Sequence, residues 1–111
     1  MEIEVKGGSI DLSELVVSNL RRAFPGLYVY LEAMSMAKYG VGIKELVRTD
    51  LIKFLDIVNG HFSSEMVTVK VIKILFKPLL EGKDELILKA VRGEYEELVN
   101  YLKSAIKTLR C

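Results

Sequence analysis

The sequence predicts an all-α, mainly helical fold: a compact bundle of about five helices that forms a single domain over residues 1–111. Three observations lead to this prediction. A chain of 111 residues has room for one domain. Half of its residues are apolar and only two are proline, as is typical of a globular protein. Apolar residues recur every three or four positions in most segments, which is the period of an amphipathic helix.

The expected helices span residues 11–24, 27–39, 43–58, 63–80 and 84–109. Asp11 and Glu14 form a capping box at the start of the first helix, and Pro25 stops it. Gly93 interrupts the apolar stripe of the last helix, so we expect a kink there, or a short helix followed by a long one. Residues 1–8 fit either a short strand or a frayed tail, because two apolar residues alternate with charged ones.

The second expected helix has apolar residues all around its helical wheel, which indicates a mostly buried helix that ends at Gly40. Tyr28, Tyr30, Met34 and Met36 in this segment are candidates for lining a ligand pocket. Aromatic residues and methionines at helical spacing are more typical of a core, so we favour a core role for these four.

Residues 67–76 fit two structures. The run from Val67 to Val71 alternates and is rich in β-branched residues, which favours a strand. Lys70, Lys73 and Lys77 are three and four residues apart, which favours a helix with one solvated edge. We favour the helix and keep the strand as the alternative.

Composition excludes several classes of protein. With 16 basic and 15 acidic residues the net charge is only +1, unlike that of a strongly basic nucleic-acid wrapper. Lysines interrupt the apolar runs before they reach the length of a membrane span, and the first residues do not resemble a signal peptide. The single cysteine, Cys111, excludes a disulfide framework within one chain. We therefore expect a cytoplasmic protein. The absence of glutamine and the presence of only three asparagines favour a thermophilic source.

No catalytic set is recognisable, so we predict that the protein is not an enzyme and needs no cofactor or metal. His61 is the only histidine; Ser63 and Ser64 are close to it in sequence, but no orienting acid is identifiable. Gly40 and Gly42 precede a helix, yet they lack the remaining residues of a dinucleotide fingerprint or a P-loop.

We predict a non-enzymatic protein-interaction module that acts as a homo-oligomer or as a small subunit of a larger assembly. A mean hydropathy of +0.27 is high for so small a body, and self-association or a partner protein would cover the surplus apolar surface. The candidate interface is the near-heptad stripe of the last segment: Ile87, Val91, Leu98, Leu102 and Leu109.

The alternative is nucleic-acid binding through the basic middle of the chain. Lys70, Lys73 and Lys77 share one face of the expected fourth helix, and Lys44 and Arg48 add positive charge one helix earlier. Such a protein would be a helix-turn-helix-like regulator or a small ribonucleoprotein subunit.

Residues 42–47 (GIKELV) and 63–68 (SSEMVT) resemble parts of a winged helix-turn-helix of the MarR type, over about a third of the chain. The resemblance implies that Ser64, Thr68 and Lys70 face the major groove. The chain departs from that pattern where a longer helix replaces the usual short turn and where no wing hairpin follows. We therefore place the chain in no family.

Overall fold

The structure, a computed structural model, describes residues 11–109, and it describes the side-chain environment as far as residue 106. Within that range the chain forms seven helices and no strand, which confirms the all-α fold and corrects the expected number of helices. The short strand or tail expected over residues 1–8 lies outside the described residues. The helices are α1 (Leu12–Ala23), α2 (Pro25–Tyr39), α3 (Ile43–Thr49), α4 (Leu51–His61), α5 (Glu65–Leu75), α6 (Asp84–Val91) and α7 (Glu96–Leu109).

The first two helices begin where their sequence signals lie. The Asp11 carboxylate caps α1 by accepting a hydrogen bond from the backbone N–H of Ser13, at 2.9 Å. Pro25 is the first residue of α2, where its fixed φ suits a helix and its missing N–H costs nothing. Gly40 ends α2 in the left-handed conformation, with φ of 75°.

The expected helix over residues 43–58 is divided in two at Asp50. The Asp50 backbone leaves the helical region, with φ of −154° and ψ of 83°, and its carboxylate caps α4 by accepting from the N–H of Lys53 at 3.2 Å. A short polar side chain can replace helical backbone hydrogen bonds with its own, which ends one helix and starts the next. The apolar stripe continues across the break, so periodicity alone did not reveal it.

Residues 65–75 are helical, which confirms the helix over the alternative strand for most of residues 67–76. The helix stops at Leu75 instead of continuing to residue 80, and turns follow it to residue 82. Pro78 disfavours helical backbone at Lys77 before it. Lys77 therefore lies beyond α5. The expectation that it shares a helix with Lys70 is wrong.

A short helix followed by a long one, one of the two outcomes expected at Gly93, is what the structure contains. Gly93 has φ of 102°, which side chains rarely tolerate, and it separates α6 from α7. Asn59 fixes the turn between them by donating from Nδ2 to the carbonyl of Val91 at 2.8 Å. Tyr95 lies in the same turn, and its hydroxyl donates to the Asp56 carboxylate at 3.0 Å.

The core is continuous through all seven helices, and it includes most of the predicted interface. Ile87, Leu98 and Leu102 have no exposed surface and Val91 is 8% exposed, so this stripe packs within the chain. The prediction that it forms an intermolecular interface is therefore wrong for these four residues: α6 and α7 need that face to pack against the rest of the bundle. The side chain of Leu109 is outside the described part.

Candidate interaction surface

α2 is the element whose burial differs most from the sequence-based expectation. Only Leu31 and Ser35 of its 15 residues are buried. α2 packs on α1, α3 and α4, and most residues on the opposite side of the helix are exposed. The expectation of a mostly buried helix is therefore wrong, because the bundle provides neighbours for one face only.

The exposed side of α2 is an uncharged apolar face. Val29 is 67% exposed, Met36 52% and Tyr30 42%, which are large values for such side chains. At 3.6 residues per turn, the exposed residues of this side fall within about 140° of the helical wheel. We call this surface the α2 face, and its members are Pro25, Gly26, Val29, Tyr30, Ala33, Met36, Ala37 and Gly40.

The single carboxylate of α2 points away from this face. Glu32 lies beside it on the helix, and its Oε1 accepts a hydrogen bond from the backbone N–H of Ile43 at 2.9 Å. A Cβ atom on Gly42 would lie 2.6 Å from the other Glu32 oxygen, so the absence of a side chain there permits the contact. The Glu32 carboxylate thus occupies the start of α3, where a negative charge suits the helix dipole.

Three aromatic rings in contact, those of Tyr30, His61 and Phe62, lead from the α2 face to the residues before α5. The rings of Tyr30 and His61 have centroids 4.5 Å apart, and those of His61 and Phe62 are 4.6 Å apart. Shortly after Phe62 the chain enters α5, where Met66 is 67% exposed and Val67 44%. Of the seven large apolar side chains most exposed in the described part, five lie on α2 or at the start of α5. Concentrated exposure of this kind is typical of an interaction site.

The α2 face can supply much of the free energy that association requires. Burying a large apolar side chain completely contributes about 1.5–3 kcal/mol. Covering the exposed parts of Val29, Tyr30 and Met36, with an equivalent gain on the partner, would contribute on the order of 5–10 kcal/mol by the same measure. That is comparable to the entropic cost of bringing two proteins together, which runs from about 4 to 15 kcal/mol.

The predicted basic site is largely paired with carboxylates. Lys73 Nζ lies 3.0 Å from Asp84, and Lys44 Nζ lies 3.6 Å from Glu14. Neighbouring carboxylates reduce the positive potential that would attract a phosphate backbone. The five predicted cations thus do not form one uniformly positive surface.

Arg48, the third paired cation, lies 2.9 Å from the Asp11 carboxylate. Lys70 and Lys77 are exposed and have no ion-pair partner among the described residues. These two are the remaining cations of the predicted site.

Thr68 does not take the position implied by the helix-turn-helix resemblance. It is 1% exposed, and its hydroxyl donates to the backbone carbonyl of Ser64 at 2.8 Å. Ser64 is exposed, but its hydroxyl caps α5 by accepting from the N–H of Val67 at 3.3 Å. Of the three residues expected to face a DNA groove, Lys70 alone is exposed with its polar group not already bonded within α5.

Asp11 ties the start of α1 to α3, and we expect this contact to make stability pH-dependent. Burial would raise the pKa of Asp11, but hydrogen bonds from Ser13 and Arg48 outweigh burial and hold it below the ordinary 3.8. A carboxylate with a lowered pKa stabilises the folded state above the unfolded pKa, and that contribution disappears as the pH falls through the folded pKa. Asp11→Ala should therefore lower the free energy of unfolding by about 1 kcal/mol at pH 7, as for a lost helix cap.

Urea denaturation at pH 7 and near pH 3 tests this. The wild type and Asp11→Ala should differ at pH 7, and the difference should shrink in acid. Glu85→Ala, at an exposed carboxylate in the first turn of α6, is the control and should change little. If the wild type and Asp11→Ala differ in stability by the same amount at both pH values, the Asp11 carboxylate is not the source of the stabilisation.

The surroundings of His61, the only histidine of the sequence, are aromatic. His61 lies between two aromatic rings, and no group of three or more histidine, cysteine or acidic residues in that part is placed to hold a metal ion. Burial is the main reason why the pKa of Tyr95 lies above 10.0. Its hydroxyl donates to Asp56 and so links the turn after α6 to α4. No helix of the described part is long and apolar enough to cross a membrane.

Comparisons of this chain with known protein families, with curated proteins and with solved structures find no match.

Proposed function

We propose that this chain is a helical protein-interaction module that binds a partner protein through the α2 face. The observation that carries the proposal is the exposure of Val29, Tyr30 and Met36 on one uncharged side of a helix whose other side is packed in the core. A helix side of that composition is disfavoured in water and gains free energy when another protein covers it. The module acts as a homo-oligomer or as a subunit of a larger assembly.

The nucleic-acid alternative has weaker support. Lys44, Arg48 and Lys73 are paired with carboxylates, so mainly Lys70 and Lys77 would be left for phosphate contacts. Two lysines on a chain of net charge +1 give a weak electrostatic attraction for a phosphate backbone.

Co-purification tests the proposed function. A tagged chain is recovered from an extract of the cells that naturally produce it, where untagged copies and other proteins compete for it. The wild type should retain another chain, identical or different, in near-stoichiometric amount, before and after nuclease treatment. Val29→Glu should lose most of it, because a carboxylate buried in an apolar interface is strongly unfavourable. Helix content should be unchanged, since glutamate is the better helix former.

Two control variants sharpen the result. Ile52→Glu makes the same kind of change at an apolar side chain that is 45% exposed on α4, outside the α2 face, and should retain the partner. Lys70→Glu combined with Lys77→Glu should also retain it. The proposed function is refuted if the wild type retains no partner chain, or if Val29→Glu retains as much of it as the wild type. If the partner is lost in the double lysine variant or after nuclease treatment, nucleic-acid binding is favoured instead.

A further inference from the structure

We infer that the partner of the α2 face is a second copy of this chain, bound in a two-fold symmetric dimer with the two α2 helices antiparallel. The inference rests on the proposed function and names its partner. Three properties of the face support it: its lack of charge, the placement of its large and small side chains, and its extent.

The lack of charge makes the face compatible with itself. Lys38 lies on a different side of α2, and the Glu32 carboxylate is held by the backbone N–H of Ile43. Two copies of an uncharged surface meet without the repulsion that suppresses association of like-charged patches. In an antiparallel pair, the amino end of each α2 also lies beside the carboxyl end of the other, so the helix dipoles attract.

The side chains of the α2 face are complementary under a two-fold rotation centred near Ala33. At helical spacing, this rotation places Val29 of one copy opposite Ala37 of the other, which matches a large side chain with a small one. It places Tyr30 opposite Met36, a pairing of aromatic ring and thioether that is favourable. The methyl side chain of Ala33 at the centre allows the two helices to approach closely.

A dimer contact of ordinary size would cover the α2 face along its whole length. A standard interface buries roughly 800 Å² on each partner, about an eighth of the 6308 Å² that this chain exposes. α2 alone is about 22 Å long, and the ring of His61 lies against Tyr30 at one edge of the face, with centroids 4.5 Å apart. A two-fold contact uses the same patch on both copies, so each exposed side chain of the patch is buried once in each copy.

Disulfide cross-linking of the purified chain tests the partner and the orientation together. In a Cys111→Ser background, Ala33→Cys should form a disulfide-linked dimer under mild oxidation, because only residues within about 7 Å between Cα atoms can be bridged. Val29→Cys should cross-link poorly alone but readily when mixed with Ala37→Cys. Ile52→Cys, exposed and outside the α2 face, gives the background rate. Circular dichroism confirms that each variant is folded.

The outcomes separate this inference from the proposed function. Efficient cross-linking of Ala33→Cys, together with the mixed disulfide of Val29→Cys and Ala37→Cys, supports the antiparallel dimer. Cross-linking of Val29→Cys with itself as fast as with Ala37→Cys would overturn the antiparallel arrangement. If Ala33→Cys reacts no faster than the control, the second copy is ruled out as the partner. Co-purification then decides whether a different protein covers the face or whether the proposed function fails as well.

Discussion

Replacing Leu98 by glutamate is expected to unfold the chain. Leu98 has no exposed surface and lies in the core with Ile87 and Leu102. Transferring a carboxylate from water into such a site costs several kcal/mol even after the surroundings relax. The apolar contacts of the leucine are lost as well, which costs another ~2–5 kcal/mol. Together these approach the whole stability of a small domain, about 5–15 kcal/mol.

Circular dichroism and thermal denaturation measure this effect. Leu98→Glu should lose most of its helical signal at room temperature or melt far below the wild type. Val29→Glu places the same side chain on the exposed face of α2, so it should stay folded and melt well above Leu98→Glu. A folded Leu98→Glu protein that had merely lost self-association would contradict the structure, because it would place the α7 stripe at an interface.

Asn19→Ala is expected to destabilise the chain by about 2–3 kcal/mol, as two acceptors lose their donor. The Asn19 Nδ2 donates to the carbonyls of Leu75 and Lys77, at 3.0 Å each. α5 ends at Leu75, so helical amides no longer serve these carbonyls, and Leu79 N–H donates instead to Phe76. Asn19 is 5% exposed, so water replaces these bonds poorly.

Urea denaturation of Asn19→Ala measures the loss, with Asn100→Ala as the matched control at an exposed asparagine on α7. We expect a lower midpoint for Asn19→Ala with an unchanged slope, and no loss for the control, because alanine is the better helix former. A loss no larger than that of Asn100→Ala would show that the turn after α5 holds without this side chain.

Much of the fold was predictable from local signals. Asp11 and Pro25 mark helix starts with chemistry that is confined to a few residues, and Gly93 marks a break because its backbone needs a left-handed conformation. Asp50 was missed because the apolar stripe passes through it, and a capping aspartate inside a continuous stripe looks the same as a solvated one.

The candidate site was less predictable, for a physical reason. Apolar residues around a whole helix indicate burial, but the sequence does not distinguish burial within the chain from burial by a partner. Met36 and Tyr30 therefore looked like core residues, while Leu98 looked like part of an interface. Which of two apolar helices lies inside depends on the tertiary arrangement.

Sedimentation equilibrium of the wild type and of Val29→Glu at micromolar concentration tests the central claim most directly. The wild type should have twice the 12.5 kDa mass of one chain, and Val29→Glu should have the mass of one chain with its helix content intact. A wild type that stays at 12.5 kDa over the whole concentration range, or a Val29→Glu variant that remains a dimer, would contradict self-association through α2.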